Sequence, residues 1–311
     1  MRLKKVMATG LVAALALSTM VGCSSKKDSS DQKKIGGVQL VEHDALDASY
    51  KGFKDGLEKA GYKDGDKIKI EYKNAQNEQS NCQTIAKQFV TDKCDLVLAI
   101  ATPAAQAMAN ESKDIPILVT AVTDPADAKL VKSNKKPGTN VSGTSDLTPV
   151  ENQMNLLKEL IPNAKKVAML YCSAEANSKF QVGLAKKEAK KLGLTTVDAT
   201  VSESSEIRQV VESLKGKVDA IYSPTDNMIA AGINTVSMVA NEAKIPFIVA
   251  EEGMCTGGGL ATYGVNYYKL GQQTAKQAVK ILEGKAEPKD MPIEYQENAD
   301  LIINKDTVKT L

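Results

Sequence analysis

The residues from Asp219 to Gly232 read "DAIYSPTDNMIAAG": an apolar run stops at Ser223 and Pro224, and an Ala-rich helical pattern follows, with Thr225, Asp226 and Asn227 packed into the junction. Proline is tolerated in a first helical turn, and the free N–H groups and dipole of a helix start attract a carboxylate. Thr225 and Asp226 therefore suit two roles, capping their own helix or gripping a solute. A second junction has the same syntax: "LAIATPAAQAMA" carries Thr102 and Pro103 from an apolar run into another Ala-rich helix. A third, "CSAEANSKF", sets Glu175, Asn177 and Ser178 before a helix, and either capping or ligand contact fits them.

Carboxylates recur at such junctions, in Asp44, Asp47, Asp124, Asp146, Glu175, Asp226, Glu251 and Glu252, and some serve as caps or solvated surface. Arginine is nearly absent: past the leader only Arg208 remains, on a predicted surface helix. A bidentate guanidinium clamp is thus excluded from the expected site, and an anionic group would rest on backbone N–H groups, hydroxyls or lysine. The acids suit a cationic group. A solute with both an ammonium and a carboxylate, such as an amino acid, matches both features. With no tryptophan, four phenylalanines and nine tyrosines, the chain is poor in the stacking platforms that sugars use.

Enzyme signatures are missing. There is no GxSxG elbow, P-loop, GxGxxG after a strand, or paired histidine. His43 is the sole histidine and the cysteines lack CxxC spacing, so neither metal nor cofactor is expected. Gly257-Gly258-Gly259 lacks the Lys and helix needed to cradle phosphate and reads as a mobile connection.

The elements that position these residues alternate. Strands are expected at 35–41, 67–74, 95–101, 115–122 and 140–146, with helices starting near Asp47, Gln79 and Pro103 between the first four. The pattern restarts with strands at 165–172, 194–201, 218–223 and 245–250, separated by helices over 179–192, 205–214 and 226–242. One more strand ("LATYGVN"), a helix over 268–283 and an extended stretch over 291–303 complete the chain. The fold class is α/β, with two doubly wound parallel-sheet lobes.

The appended helix and strand imply three crossovers, near 146–150, 262–266 and 288–292. The expected domains are a leader (1–22), a tether (23–34), a first lobe (35–146 plus 264–289) and a second lobe (147–263 plus 290–311). Ligands of open α/β sheets lie at the carboxyl ends of the strands. The candidate contacts are therefore Asp44, Leu46, Asp47, Thr102, Pro103, Thr123, Asp124, Ser145, Asp146, Glu175, Asn177, Ser178, Thr225, Asp226, Asn227, Glu251 and Asn266.

The chain opens with "MRLKK", an apolar run and "VGC", which is a secretory leader. It resembles a bacterial lipoprotein signal, in which Cys23 becomes the acylated first residue and "SSKKDSSDQKK" a polar tether. Removing Arg2, Lys4 and Lys5 leaves 37 basic residues against 38 acidic ones, which gives no indication of a nucleic-acid partner. Of the remaining cysteines, Cys82 and Cys94 bracket a helix and lie about 18 Å apart, beyond disulfide reach. Cys172 and Cys255 could pair or stay free.

Beyond these physical readings, "EHDALDASYKGFKDGLEKAGY", "NAQNEQSNCQTIAKQFV", "DLVLAIATPAAQAMA", "AVTDPADAKLV", "GTSDLTPVENQMNLLKELIP", "LYCSAEANS", "YSPTDN", "ATYGVNYYKLGQQTAKQAVKIL" and "LIIN" resemble the successive motifs of ABC-transporter substrate-binding lipoproteins of the tryptophan/tyrosine uptake group. The resemblance covers nearly all of the mature chain. It implies a type I periplasmic-binding-protein fold, two lobes closing on a small molecule, and delivery to a membrane permease. The group is associated with aromatic amino acids. This chain departs from the group's pattern at Asp44, where proline is usual, and at Cys172, where asparagine is common.

The combined expectation is a monomeric, lipid-anchored, extracytoplasmic solute receptor that is not an enzyme. Thr102, with neighbouring N–H groups and Thr123, would hold the ligand's carboxylate. Asp226 or Glu175 would meet its ammonium, and Asp44, Leu46 and Asp47 would shape the side-chain pocket. A surface adhesin on the same fold is the rival reading.

Overall fold

The computed structural model describes residues 32–311. The leader, Cys23 and most of the expected tether lie outside them. Lys33 and Lys34, expected in the tether, already pair in register with Ile68 and Lys69.

The first lobe runs β1 (Lys33–Gln39), α1 (Asp44–Lys59), β2 (Ile68–Asn74), α2 (Gln79–Thr91), β3 (Leu96–Ile100), α3 (Thr102–Glu111), β4 (Ile117–Val122) and β5 (Val141–Ser145). Its five strands are all parallel, in the order β2-β1-β3-β4-β5. Every residue of β3 and β4 is buried, as expected for central parallel strands covered on both faces. The strands read "LVLAI" and "ILVTAV" because each side chain meets a layer of helix.

The chain then enters the second lobe: α4 (Val150–Leu160), β6 (Lys166–Cys172), α5 (Ala176–Lys191), β7 (Thr195–Val201), α6 (Ile207–Glu212), β8 (Ala220–Ser223), α7 (Asn227–Ala231), α8 (Ile233–Glu242), β9 (Phe247–Val249), α9 (Glu252–Thr256) and β10 (Ala261–Gly264). Alternate residues of β6 feed opposite faces. Ala168, Leu170 and Cys172 join the core under α6 and α8, while Val167 and Met169 join the core under α4 and α5.

Next, α10 (Tyr267–Leu282) returns to the first lobe, β11 (Asp300–Ile303) pairs antiparallel with β10, and α11 (Lys305–Thr310) ends the chain. The second sheet has the order β11-β10-β9-β8-β6-β7. Helix α10 packs directly on α1, which glycines permit. A Cβ at Gly52 would come within 2.0 Å of the Tyr268 carbonyl oxygen, and one at Gly271 within 2.0 Å of the Ser49 carbonyl oxygen.

Four expectations change. The helix over 226–242 is two helices broken at Gly232, where α7 ends and α8 begins. The segment after the first crossover is a full helix, α4, whose Val150, Met154 and Leu157 are buried at helical spacing. The third crossover comes later than 288–292. Ser142 Oγ donates to the Met291 carbonyl, and the Glu294 N–H and carbonyl bond Gly143 and Ser145, so the chain leaves the first sheet only after Glu294. Finally, the glycine run is tightly packed: a Cβ on Gly258 would lie 2.5 Å from Ser237 Cβ, and one on Gly259 2.8 Å from Val249. All four cysteines among the described residues are free and buried, which settles the open pairing of Cys172 with Cys255.

Candidate functional site

At the carboxyl ends of β3 and β4 the backbone turns through conformations that L-residues rarely adopt. Ala101 has φ +79° and ψ 153°, and Ala121 has φ +54° beside a register shift between Val119 and Val122 against β5. Such strain persists where surrounding structure fixes a functional shape. Here it brings Ala121 and Thr123 to the wall of a cleft between the lobes. His43, Leu46, Asp146 and Tyr267 complete that wall on the first lobe, and Asn177, Thr225, Asp226, Asn227, Ala230 and Glu251 face them from the second.

The cleft is shut down to about 10 Å³, room for roughly one water and far below the roughly 300–1,000 Å³ typical of open small-molecule sites. Hydrogen bonds cross it. Thr123 Oγ1 and Thr225 Oγ1 are 3.4 Å apart, Gln181 Nε2 donates to both at 3.2 and 2.5 Å, and His43 Nε2 meets Asn227 Oδ1 at 3.4 Å.

Asp226, central to the opening junction, is 1% exposed and spends both oxygens within its own lobe. Oδ1 accepts the Ile229 N–H at 2.9 Å as the N-cap of α7, while Oδ2 accepts from Cys172 N–H at 2.6 Å and Ser178 hydroxyl at 2.7 Å. Glu175 is similarly occupied, by the N–H groups of Asn227 and Met228 and the amides of Asn177 and Asn227. Burial raises both carboxyls above their ordinary range, and for Glu175 the neighbouring Asp226 adds to it. Glu251 caps α9 through Gly253 and Met254 N–H, and burial pushes it up to about 7.

The remaining candidates separate. Asp44 and Asn266 line a wider open depression of about 280 Å³ that shares Glu251 and Tyr267 with the cleft. Asp124 Oδ1 ties its own loop through Ala126, Asp127 and Asn134, and Ser145 donates to the Thr123 carbonyl. Asp47 accepts from Gln39. Thr102 and Pro103 start α3 without lining the cleft, although the Thr102 hydroxyl is buried and unpaired.

Sequence reasoning did not single out Gln39, Gln181 or Tyr267. Gln181 sits one turn beyond Asn177 on the same face of α5, the i,i+4 spacing that a reading confined to junctions misses. Tyr267 donates to Asp146 Oδ2 at 2.7 Å. Among the described residues, several buried polar atoms lack partners: Asp146 Oδ1, Asn177 Oδ1 and His43 Nδ1 on cleft-lining residues, and Gln39 Oε1 and Gln181 Oε1 nearby. Buried polar atoms are nearly always paired, so such a concentration marks a place meant for a solute.

The profile of the family described as ABC transporter substrate binding protein matches residues 34–311. The chain belongs to that family. This substrate-binding protein is 47% identical to the tyrosine-binding protein of Clostridioides difficile (strain R20291), over 99% of this chain and 92% of the relative. In structure it is similar to the ABC domain in complex with L-Trp from Streptococcus pneumonia (TM-score 0.87, 43% identity, 89% of this chain and 94% of that one). A ligand-free, open structure of a Clostridium difficile substrate-binding protein with adhesive properties is more identical, at 50%, over the same shares of the two chains, yet overlaps less, at TM-score 0.69. The shape therefore follows the L-Trp complex rather than the open form, in keeping with hydrogen bonds that span the cleft. The fold is that of the type I periplasmic binding proteins.

Proposed function

We propose that this substrate-binding protein captures an aromatic amino acid, tyrosine, tryptophan or phenylalanine, between its lobes and delivers it to a membrane permease. The carrying observation is the closed cleft: polar atoms without partners from both lobes surround a small space whose walls also include Leu46, Ala121 and Ala230. The relatives named for tyrosine and solved with L-Trp support the aromatic choice. The protein acts by binding rather than by catalysis, as a monomer on the extracytoplasmic face, anchored through lipid on Cys23.

Thermal unfolding against the common amino acids, nucleosides and sugars tests the reading. A ligand at 100 times its dissociation constant adds about 2.7 kcal/mol of stability. Tyrosine, tryptophan or phenylalanine is expected to raise the melting temperature. A rise with another class and none with these three overturns the reading.

A further inference from the structure

The sequence put Asp226 or Glu175 on the ligand's ammonium, but every hydrogen bond the two carboxylates make is spent inside the second lobe. The atoms left over have one chemistry in common. Asn177 gives its amide nitrogen to the Thr225 carbonyl at 3.0 Å and to Glu175 at 3.0 Å. A carbonyl only accepts, so the amide orientation is fixed and the unpaired Asn177 Oδ1 is an acceptor. Asp146 lends Oδ2 to Tyr267 and keeps Oδ1 without a partner; burial raises its carboxyl, and a cation beside Oδ1 would favour the ionised form, in which that oxygen is another acceptor.

His43 is decided by a relay. Four bonds reach Glu175, from Asn177, from the backbone N–H groups of Asn227 and Met228, and from Asn227 Nδ2 at 2.5 Å, and every one comes from a donor. The two backbone N–H groups and the Asn177 amide, which the Thr225 carbonyl orients, are fixed donors, so both Glu175 oxygens already act as acceptors even though burial and the neighbouring Asp226 raise its carboxyl. Asn227 must then turn its nitrogen to Glu175 and its oxygen to His43. An amide oxygen accepts, so His43 Nε2 carries the hydrogen, and a neutral ring leaves a lone pair on the buried, unpaired Nδ1. Burial keeps the ring neutral by lowering its pKa to about 4.

We propose that Glu175, acting through Asn227, fixes the His43 tautomer, so that His43 Nδ1, Asp146 Oδ1 and Asn177 Oδ1 offer three acceptors to the three N–H bonds of a primary ammonium. Glu175 and Asn227 are positioning residues, and the ammonium is bridged by two groups of the first lobe and one of the second. Closure thereby depends on the amine. This deepens the amino-acid reading and rests on it for the ligand, whereas the tautomer is a property of the protein alone.

Two measurements separate the parts. His43 is the chain's sole histidine, so ¹⁵N-histidine labelling gives one imidazole to assign. The ligand-free protein is expected to show the Nε2–H tautomer, with Glu175→Leu, which removes the acceptor that holds the Asn227 amide and frees it to turn, moving the population toward Nδ1–H. If Glu175→Leu does not fold, Asn227→Leu, which removes the acceptor facing Nε2, serves instead. An Nδ1–H ring in the unaltered protein, or a tautomer indifferent to the variant, overturns the relay.

For the acceptors, L-tyrosine is compared calorimetrically with its N,N-dimethyl and desamino analogues. We expect at least a hundredfold loss for the dimethyl analogue, which strands two acceptors, and about 10⁴-fold for the desamino acid. Equal binding of all three overturns the ammonium assignment. Failure of L-tyrosine, L-tryptophan and L-phenylalanine alike sinks the aromatic reading and leaves the tautomer result standing.

Discussion

Asp226 has two oxygens and three buried donors to serve: the Ile229 and Cys172 N–H groups and the Ser178 hydroxyl. Asp226→Ala should lower the stability of the ligand-free protein by about 3 kcal/mol or more, since each stranded donor costs about 1–3 kcal/mol. Denaturant unfolding checks this, and an unchanged midpoint would restore Asp226 to the ligand. Glu251 carries a pH dependence. Its folded pKa, about 7, lies above the ordinary 4.5, so the folded state holds its proton over a range where the unfolded chain has released it. Its contribution is full below about pH 4.5 and is lost as pH rises through 7. The stability of the unaltered protein relative to Glu251→Gln should therefore fall between pH 5 and pH 8, by about 3 kcal/mol at most. A flat or rising difference contradicts the assignment.

At the scale of elements, the turn from β3 into α3 depends on Ala101 holding a backbone conformation that only glycine adopts freely. Ala101→Gly should stabilise the protein by about 1 kcal/mol, the relief of strain exceeding the entropy that glycine adds to the unfolded chain. Chemical denaturation reads this; a destabilised variant would show that the Ala101 methyl packs better than the strain costs. The alternation of strands and helices was legible because each central strand is a short, mostly apolar run and most of the longer helices carry a periodic stripe. The break at Gly232 was not: glycine is a weak helix former, but the residues on both sides, Met228 to Ala231 and Ile233 onward, keep a helical composition and hide the interruption. Of the junction residues, Thr123, Asp146, Asn177 and Thr225 to Asn227 line the cleft. Which of their atoms remain free was illegible, because that depends on partners up to 184 residues away, as in the contact of His43 with Asn227.

For the molecule as a whole, the contrast between the two comparison structures assigns the lobes to a closed arrangement, and the bonds from Gln181 and Thr225 to Thr123 are what such an arrangement gains. These contacts are few and neutral, so each contributes on the order of 1 kcal/mol. A ligand bridging both walls then tips a balance that is already close.

The four buried thiols give that balance a reporter. Burial pushes Cys82, Cys94 and Cys172 up to about 11 and Cys255 to about 12, so almost none is thiolate at neutral pH and an alkylating reagent meets an inert surface. Modification has to wait for local opening. Cys82 and Cys94 lie in the core of one lobe, Cys172 and Cys255 in that of the other. The native chain thus carries a pair of unreactive clocks in each half, and peptide-resolved alkylation rates would time the unfolding of one half against the other without any introduced label.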